Sequence, residues 1–360
     1  MEKRMQEIKE KVQNDIRLSM EDGIYLYRSG DLLALAELAR SKKYQVSGKN
    51  IYFNVNRHIN LTNICVSRCQ FCAFGVDEDG QGGPYLMTPE EAFNYGAEAV
   101  GHGITEFHVV SAMHPHMGFE YYREVIERLH QGYPDIHIQA FTAVEIFHFA
   151  KVSGLSVREV LASLKAAGLG SMPGGGAEIL NDDIRRQLCP RKATSEEWLN
   201  VHRIAHELGI KTNCTMLYGH IETIEDRINH LIQLRNLQDE APGFQAFIPL
   251  PFLPANTRME HIRRTSAVDD LKTIAISRLM LDNIDHIKAF WIMLGLPIAQ
   301  IALDFGADDI DGTVVEERIM HAAGAKTEKG ISKEEIIRLI KESRYIPVER
   351  DTVYNVIETF

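Results

Sequence analysis

Three cysteines, Cys65, Cys69 and Cys72, fall within eight residues in the pattern C-x-x-x-C-x-x-C, with Phe71 just before the last. Three thiolates on one short loop can hold three irons of a cubane cluster, whereas an all-protein [4Fe–4S] site uses four. With three, the fourth iron is open to a ligand that is not protein. The amino and carboxylate groups of methionine, carried on S-adenosylmethionine, can chelate it. One electron from the cluster can then cleave the sulfonium and release a 5′-deoxyadenosyl radical. Two readings compete with this one: a Cys3His zinc site with His58 as fourth ligand, and a chance grouping of buried thiols. Cys189 and Cys214 stand far off in sequence and read as small buried hydrophobes without a role.

Composition narrows the class. The chain has 360 residues, with 39 Lys and Arg against 50 Asp and Glu, a net charge of −11. That balance argues against broad nucleic-acid binding, which rests on cations neutralising phosphates. Five cysteines, an odd number in a long chain, make a poor disulfide framework. The first twenty residues are charged and lack the apolar core of a secretory signal. The apolar runs, such as 289–294, are far shorter than the ~20 residues that span a bilayer. The expectation is a cytoplasmic protein with reduced thiols and no membrane or nucleic-acid partner.

A rhythm of short β-rich runs and amphipathic helices must position the cysteines. Candidate strands cover 59–65, 106–112, 137–144, 170–173, 212–218, 243–250, 287–294 and 310–314, the last being the weakest pattern. Helical patterns cover 89–101, 119–131, 157–167, 195–208, 224–238, 268–281 and 297–305. Thr88 with Pro89, and Thr194 with Glu197, are helix-start signals. Gly168 and Gly209 sit where helices should stop. Eight strand–helix units in one series predict an α/β chain of the (β/α)8 TIM-barrel type, with a doubly wound open sheet as the competing arrangement. Residues 1–50 form a helical extension, 51–325 the barrel and 326–360 a helical or irregular tail packed on it. Leu32, Leu33, Leu35 and Leu38 should give the extension one packed face. The glycine-rich stretch 77–84 looks the most flexible. In a barrel, chemistry belongs at the C-terminal ends of the strands. The cysteines, His114, Glu145, Glu178, His220 and Glu222 all fall there.

Around the cysteines the chain resembles the radical S-adenosylmethionine superfamily. Asn56–Asn63, Phe141–Ile146, the run Pro173-Gly174-Gly175-Gly176-Ala177-Glu178 and the run from Asp311 to Glu317 are similar to the branch that makes menaquinone intermediates and the deazaflavin chromophore. Within it, the stretches 189–194, 215–223 and 244–250 resemble most the family that makes aminofutalosine. The likeness covers residues ~30–355 and implies the radical SAM barrel fold. It also implies a transferase of the futalosine pathway that consumes S-adenosylmethionine. The adenosyl radical would add to the enol ether of 3-[(1-carboxyvinyl)oxy]benzoate. Rearrangement and decarboxylation would give 6-amino-6-deoxyfutalosine. A flavodoxin or ferredoxin would supply the electron. The sibling cyclase of dehypoxanthine futalosine carries Phe and Val where this chain has Tyr218 and Ile221, and Trp at Leu250. Further enzymes of the deazaflavin branch, and a non-catalytic zinc-binding module, are the competing functions.

The remaining candidates follow from chemistry. Glu145 and Glu178 suit ribose hydroxyls or the methionyl ammonium, and Gly175 permits close backbone approach. Ser111 and Ala112 stand where the family carries Gly-Gly, next to the methionyl amino group. Arg57, Arg68 and Arg191 could clamp the substrate's two carboxylates, with Tyr218 beside them. His114, His220 and Glu222 could move a proton. His202 and His206, four apart on a helix, are expected on its surface.

Overall fold

A computed structural model describes residues 2–80, 83–101 and 103–360. The stretch expected to be most flexible therefore lies partly outside the described residues.

Strands are labelled β1 (Asn50–Asn54), β2 (Asn56–Asn60), β3 (Glu106–Val110), β4 (His137–Ala140), β5 (Ser171–Met172) and β6 (Lys211–Tyr218). They continue as β7 (Phe244–Pro251), β8 (His286–Ile287), β9 (Asp309–Gly312), β10 (Ile346–Arg350) and β11 (Val356–Thr359). β2 to β8 pair in sequence order, each parallel to the next. β9 completes the ring through single bridges, Lys288 to Asp309 on one side and Arg57 to Val315 on the other. The ring is thus a parallel eight-stranded barrel, as the alternation of elements predicts.

Strand parity sorts the side chains. On β2, β3 and β6, His58, Glu106, His108, Val110, Asn213, Thr215 and Leu217 face the interior. Phe107, Val109, Cys214, Met216 and Tyr218, their neighbours of opposite parity, are buried outside that interior cavity. Helices Pro89–Val100, Phe119–Gly132, Val157–Ala167, Ser195–Glu207, Ile224–Glu240 and Ala267–Met280 match their expected ranges within two residues. Thr88 with Glu91, and Thr194 with Glu197, form the capping boxes their sequences announce. Gly168 ends its helix in the left-handed region at φ 115°.

Four expectations fail for identifiable reasons. The run 287–294 is strand only to Ile287 and then turns into the short helix Trp291–Leu294. A continuous apolar run does not tell a buried strand from a buried helix. Residues Ala143–Ser153 form a helix, which the Thr142–Glu145 capping box could have announced. The tail contains β10 and β11 beside helix Lys333–Glu342, and β10 pairs with β1, which pairs in turn with β9. β1 and β2 are therefore one strand broken at Val55, its first half in this second sheet and its second half in the barrel. Finally, Leu35 and Leu38 are buried in the extension but Leu33 is exposed.

Candidate active site at the barrel mouth

The cysteine loop leaves β2 and is tied down by backbone bonds to loops from across the barrel. Val66 N–H donates to Met113 O at 2.9 Å, Gln70 N–H to Leu188 O at 2.8 Å, and Arg258 N–H to Gln70 O at 3.0 Å. Three of the loop's backbone groups are thereby anchored, and its cysteine side chains face a cavity of about 320 Å³. Cys65, Cys69 and Cys72 line that cavity together with Arg68, Ser111, Ala112, Glu145, Gly175 and Glu178. Nine of the candidates from sequence thus share one space.

These residues fit an iron–sulfur cluster. A Cβ on Gly75 would stand 3.8 Å from both Cys65 Sγ and Cys72 Sγ, so the glycine keeps the space between those sulfurs clear. The Gly75 N–H donates to Cys72 Sγ at 3.4 Å, a bond that favours a ligating thiolate. No three His, Cys, Asp or Glu side chains converge on a single-ion site among the described residues. His58 lies instead in the polar interior, stacked on His108 with ring centroids 4.4 Å apart.

The acids beside the loop are held by their neighbours. Glu145 accepts from Ser111 N–H at 2.6 Å, Thr142 N–H at 2.7 Å and Thr142 Oγ1 at 2.6 Å. It fastens the loop after β3 to the helix after β4. Burial pushes its carboxyl up to about 7 despite these bonds. Glu178 accepts from the half-buried Lys192 ammonium at 2.7 Å. Ser111 and Ala112 keep their amides for Glu145 and for Thr62 O. The glycines are required by contact: a Cβ on Gly174 would stand 2.6 Å from the Cys214 Cα, and Gly176 has φ 88°. Arg68, Glu178 and Asp311, which line the cavity, and the buried Val314 after β9 also take positive φ. For β-branched Val314 that is genuine strain, of a kind that gathers at functional sites.

Six candidates lie outside the cavity lining. Arg57 points away from His58, pairs with Glu98 at 3.1 Å and stacks over Tyr95. Tyr218 is outward by parity, its hydroxyl donating to Asp270 at 2.8 Å. Arg191 is exposed and supports the cysteine loop through Val66 O at 2.9 Å. His114 is buried behind the loop; its Nδ1 accepts from His116 N–H, and burial lowers its pKa. His220 and Glu222 close the turn after β6. Glu222 accepts from Gly219 N–H at 2.6 Å, His220 N–H at 2.9 Å and Arg227 Nε at 2.8 Å. Burial alone would raise Glu222; His220, Arg227 and the Gly219 N–H outweigh it and bring the carboxyl to about 2. His202 and His206, expected on a surface, are buried and share the Thr212 hydroxyl.

Residues missed from sequence line the interior: Glu106, His108, Lys192, Arg258 and Lys288. Lys288 reaches Asp311 at 2.9 Å, and Glu106 lies 3.3 Å from His108 Nδ1. Burial drives His58 down to about 3, so it is neutral. Parity along β3 would have revealed Glu106 and His108.

Residues 59–234 match the radical SAM superfamily, and residues 241–360 match the CofH/MqnC C-terminal region. The chain belongs to the radical SAM superfamily, in the group with that C-terminal region, and is an enzyme of the radical SAM transferase type. It is 44% identical to aminodeoxyfutalosine synthase of Thermus thermophilus, over 98% of this chain and 96% of that one. It is 41% identical to the Streptomyces coelicolor protein of the same name, covering 98% and 94%. It is 40% identical to 5-amino-6-(D-ribitylamino)uracil–L-tyrosine 4-hydroxyphenyl transferase of Methanopyrus kandleri, covering 89% and 88%. Its fold matches a crystal structure of methylornithine synthase with TM-score 0.76 at 18% identity, over 94% of this chain and 97% of the other. No helix among the described residues is long and apolar enough to cross a membrane.

Proposed function

We propose that this chain makes 6-amino-6-deoxyfutalosine from S-adenosylmethionine and 3-[(1-carboxyvinyl)oxy]benzoate, as an aminodeoxyfutalosine synthase. The observation that carries the proposal is the continuity of one cavity from three cysteines to a polar interior. The particular substrate is supported by the 44% identity to the Thermus thermophilus relative. Cys65, Cys69 and Cys72 hold a [4Fe–4S] cluster, which supplies the electron that breaks S-adenosylmethionine. Ser111, Ala112, Glu145, Gly175 and Glu178, at the same end of the cavity, are its contacts. Arg68, Arg258 and Lys288 line the cavity as cations for the substrate's carboxylates, Arg68 being paired with Asp77 at 2.6 Å and Lys288 with Asp311 at 2.9 Å. Leu250, Phe252, Leu253 and Phe290 line the wall and exclude water from a reactive radical. Of the three positions that separate the sibling cyclase, Leu250 alone lines the cavity; Tyr218 packs behind the strand and Ile221 is exposed. The electron donor is a flavodoxin or ferredoxin, and the setting is a reducing cytoplasm.

The test is anaerobic turnover of reconstituted protein with dithionite, S-adenosylmethionine and each candidate substrate in turn, read by mass spectrometry. Aminofutalosine should form from the carboxyvinyloxybenzoate. Product only from 5-amino-6-(D-ribitylamino)uracil with tyrosine would move the chain to the deazaflavin branch. Free 5′-deoxyadenosine with no adduct would refute the substrate.

A further inference from the structure

Four Lys and Arg side chains line the cavity among the described residues, and three of them belong to the cysteine loop's surroundings. Arg68 is part of that loop. Arg258 is bonded to it, its N–H donating to Gln70 O at 3.0 Å and its Nη1 to Arg68 O at 3.4 Å. Lys192 lies over the Phe71 ring and pairs with Glu178. Lys288 stands instead in the barrel wall. Its N–H donates to Phe247 O at 2.9 Å, and four residues, about 13 Å of strand, separate Phe247 from the end of β7 at Pro251. Lys288 is 5% exposed, and Asp311 at 2.9 Å is the one acceptor its Nζ meets among the described residues. An ammonium carries three donors, so two are left for a ligand, and leaving them unmet in a buried place is costly. The other acids of the interior have partners of their own. Glu106 accepts from Asn54 Nδ2 at 2.9 Å, and Glu317 accepts from Ile319 N–H at 2.7 Å and Met320 N–H at 2.9 Å. Ile248 and Phe290, near neighbours in sequence of Phe247 and Lys288, line the same cavity and offer an aromatic ring an apolar wall.

We propose that Lys288 is a specificity-determining residue for the aromatic half of the substrate, its ammonium holding the carboxylate on the ring while the enol ether points to the cysteines. This rests on the substrate reading above. The two carboxylates of 3-[(1-carboxyvinyl)oxy]benzoate sit at opposite ends, one on the alkene and one on the ring. The carbon that the adenosyl radical attacks belongs to the alkene, and the radical arises at the cysteine end. The alkene half must therefore face the mouth, and the ring must lie deeper, where Lys288 is. The ring carboxylate survives into the product, so one anchor serves from binding to release and fixes the angle at which the alkene meets the radical. Asp311 holds the ammonium in place from a backbone at φ 70°, its own N–H donating to Asp309 Oδ1 at 2.6 Å. Strain of that kind is kept at ligand clamps.

The experiment is anaerobic isothermal titration calorimetry of the reconstituted protein with S-adenosylmethionine and no reductant, so that binding is read without turnover. Two ligands are compared, 3-[(1-carboxyvinyl)oxy]benzoate and 2-phenoxyacrylate, its counterpart without the ring carboxylate. Wild type should bind the benzoate roughly ten- to hundredfold more tightly, the range of a charge-assisted hydrogen bond. In Lys288→Met the two Kd values should agree within about threefold, through weaker binding of the benzoate and unchanged binding of phenoxyacrylate. Lys288→Arg keeps a cation and should keep most of the preference. An undiminished preference in Lys288→Met, or no preference in wild type, would overturn the proposal. Should Lys288→Met fail to fold, Lys288→Gln, neutral but able to pair with Asp311, decides by the same comparison. Wild type that binds neither ligand would refute the substrate reading, and the inference would fall with it.

Discussion

The turns after β2 and after β6 both end a barrel strand with residues whose types suggest chemistry, and they have opposite fates. After β2 the backbone is anchored by neighbouring loops at Val66 and Gln70, while Cys65, Cys69 and Cys72 face the cavity. After β6 the side chains themselves are consumed. Glu222 binds two amides and Arg227, while His220 has Nε2 3.0 Å from Leu217 O and Nδ1 2.9 Å from the Glu222 carboxylate. A polar residue at a strand end is available for catalysis only when other groups have done the structural work of the turn. The glutamate that locks a turn and the cysteine that could bind iron look equally promising in sequence.

The contrast can be broken most forcefully at the cysteines. Cys69→Ala should fall well short of four irons and four sulfides per chain. Its cleavage of S-adenosylmethionine, followed as 5′-deoxyadenosine, should drop to background. Retained cleavage would place the chemistry elsewhere. The next largest effect is on stability. Glu222→Ala leaves the buried Arg227 guanidinium short of a partner and should cost about 3 kcal/mol by denaturant unfolding, with cluster content of the folded fraction preserved. Loss of cluster without loss of stability would mean that the β6 turn belongs to the site.

Acid sharpens the same contrast. The Glu222 carboxyl is held at about 2, below its ordinary value. Its contribution is therefore complete above pH ~4.5 and is lost as pH falls toward 2. Glu145 runs the other way. With its carboxyl pushed up to about 7, ionisation should weaken the fold as pH rises from ~4.5 to ~7. Unfolding of Glu145→Gln should lack that slope, and an identical slope in both proteins would contradict the burial of this charge. The smallest effect is expected at Tyr218. Tyr218→Phe removes one hydrogen bond to Asp270 and should cost about 1 kcal/mol, with KM for substrate unchanged. A raised KM would bring Tyr218 into the cavity after all.

Much of the barrel is legible because its period is. Helices with capping boxes, such as 89–100 and 195–207, announce their own ends. The cysteine loop is legible because Cys65, Cys69 and Cys72 fall within eight residues. What escapes depends on long-range pairing or on orientation. β10 is a strand because β1 offers an edge, and nothing local near residue 346 says so. Arg57 and His58 are chain neighbours, yet parity puts one against Glu98 and the other inside the barrel. Lys288 reaches the cavity from a mainly apolar run, and Arg258 from a loop so rich in charges that nothing local singles it out.

The central claim is that the loop after β2 holds a cluster with one iron open to a small molecule. It is tested most directly by electron paramagnetic resonance of the reduced, reconstituted protein before and after S-adenosylmethionine is added. The expected result is a [4Fe–4S]+ signal whose g-values shift on addition. A protein that carries zinc in place of iron, or a cluster signal indifferent to S-adenosylmethionine, would contradict it.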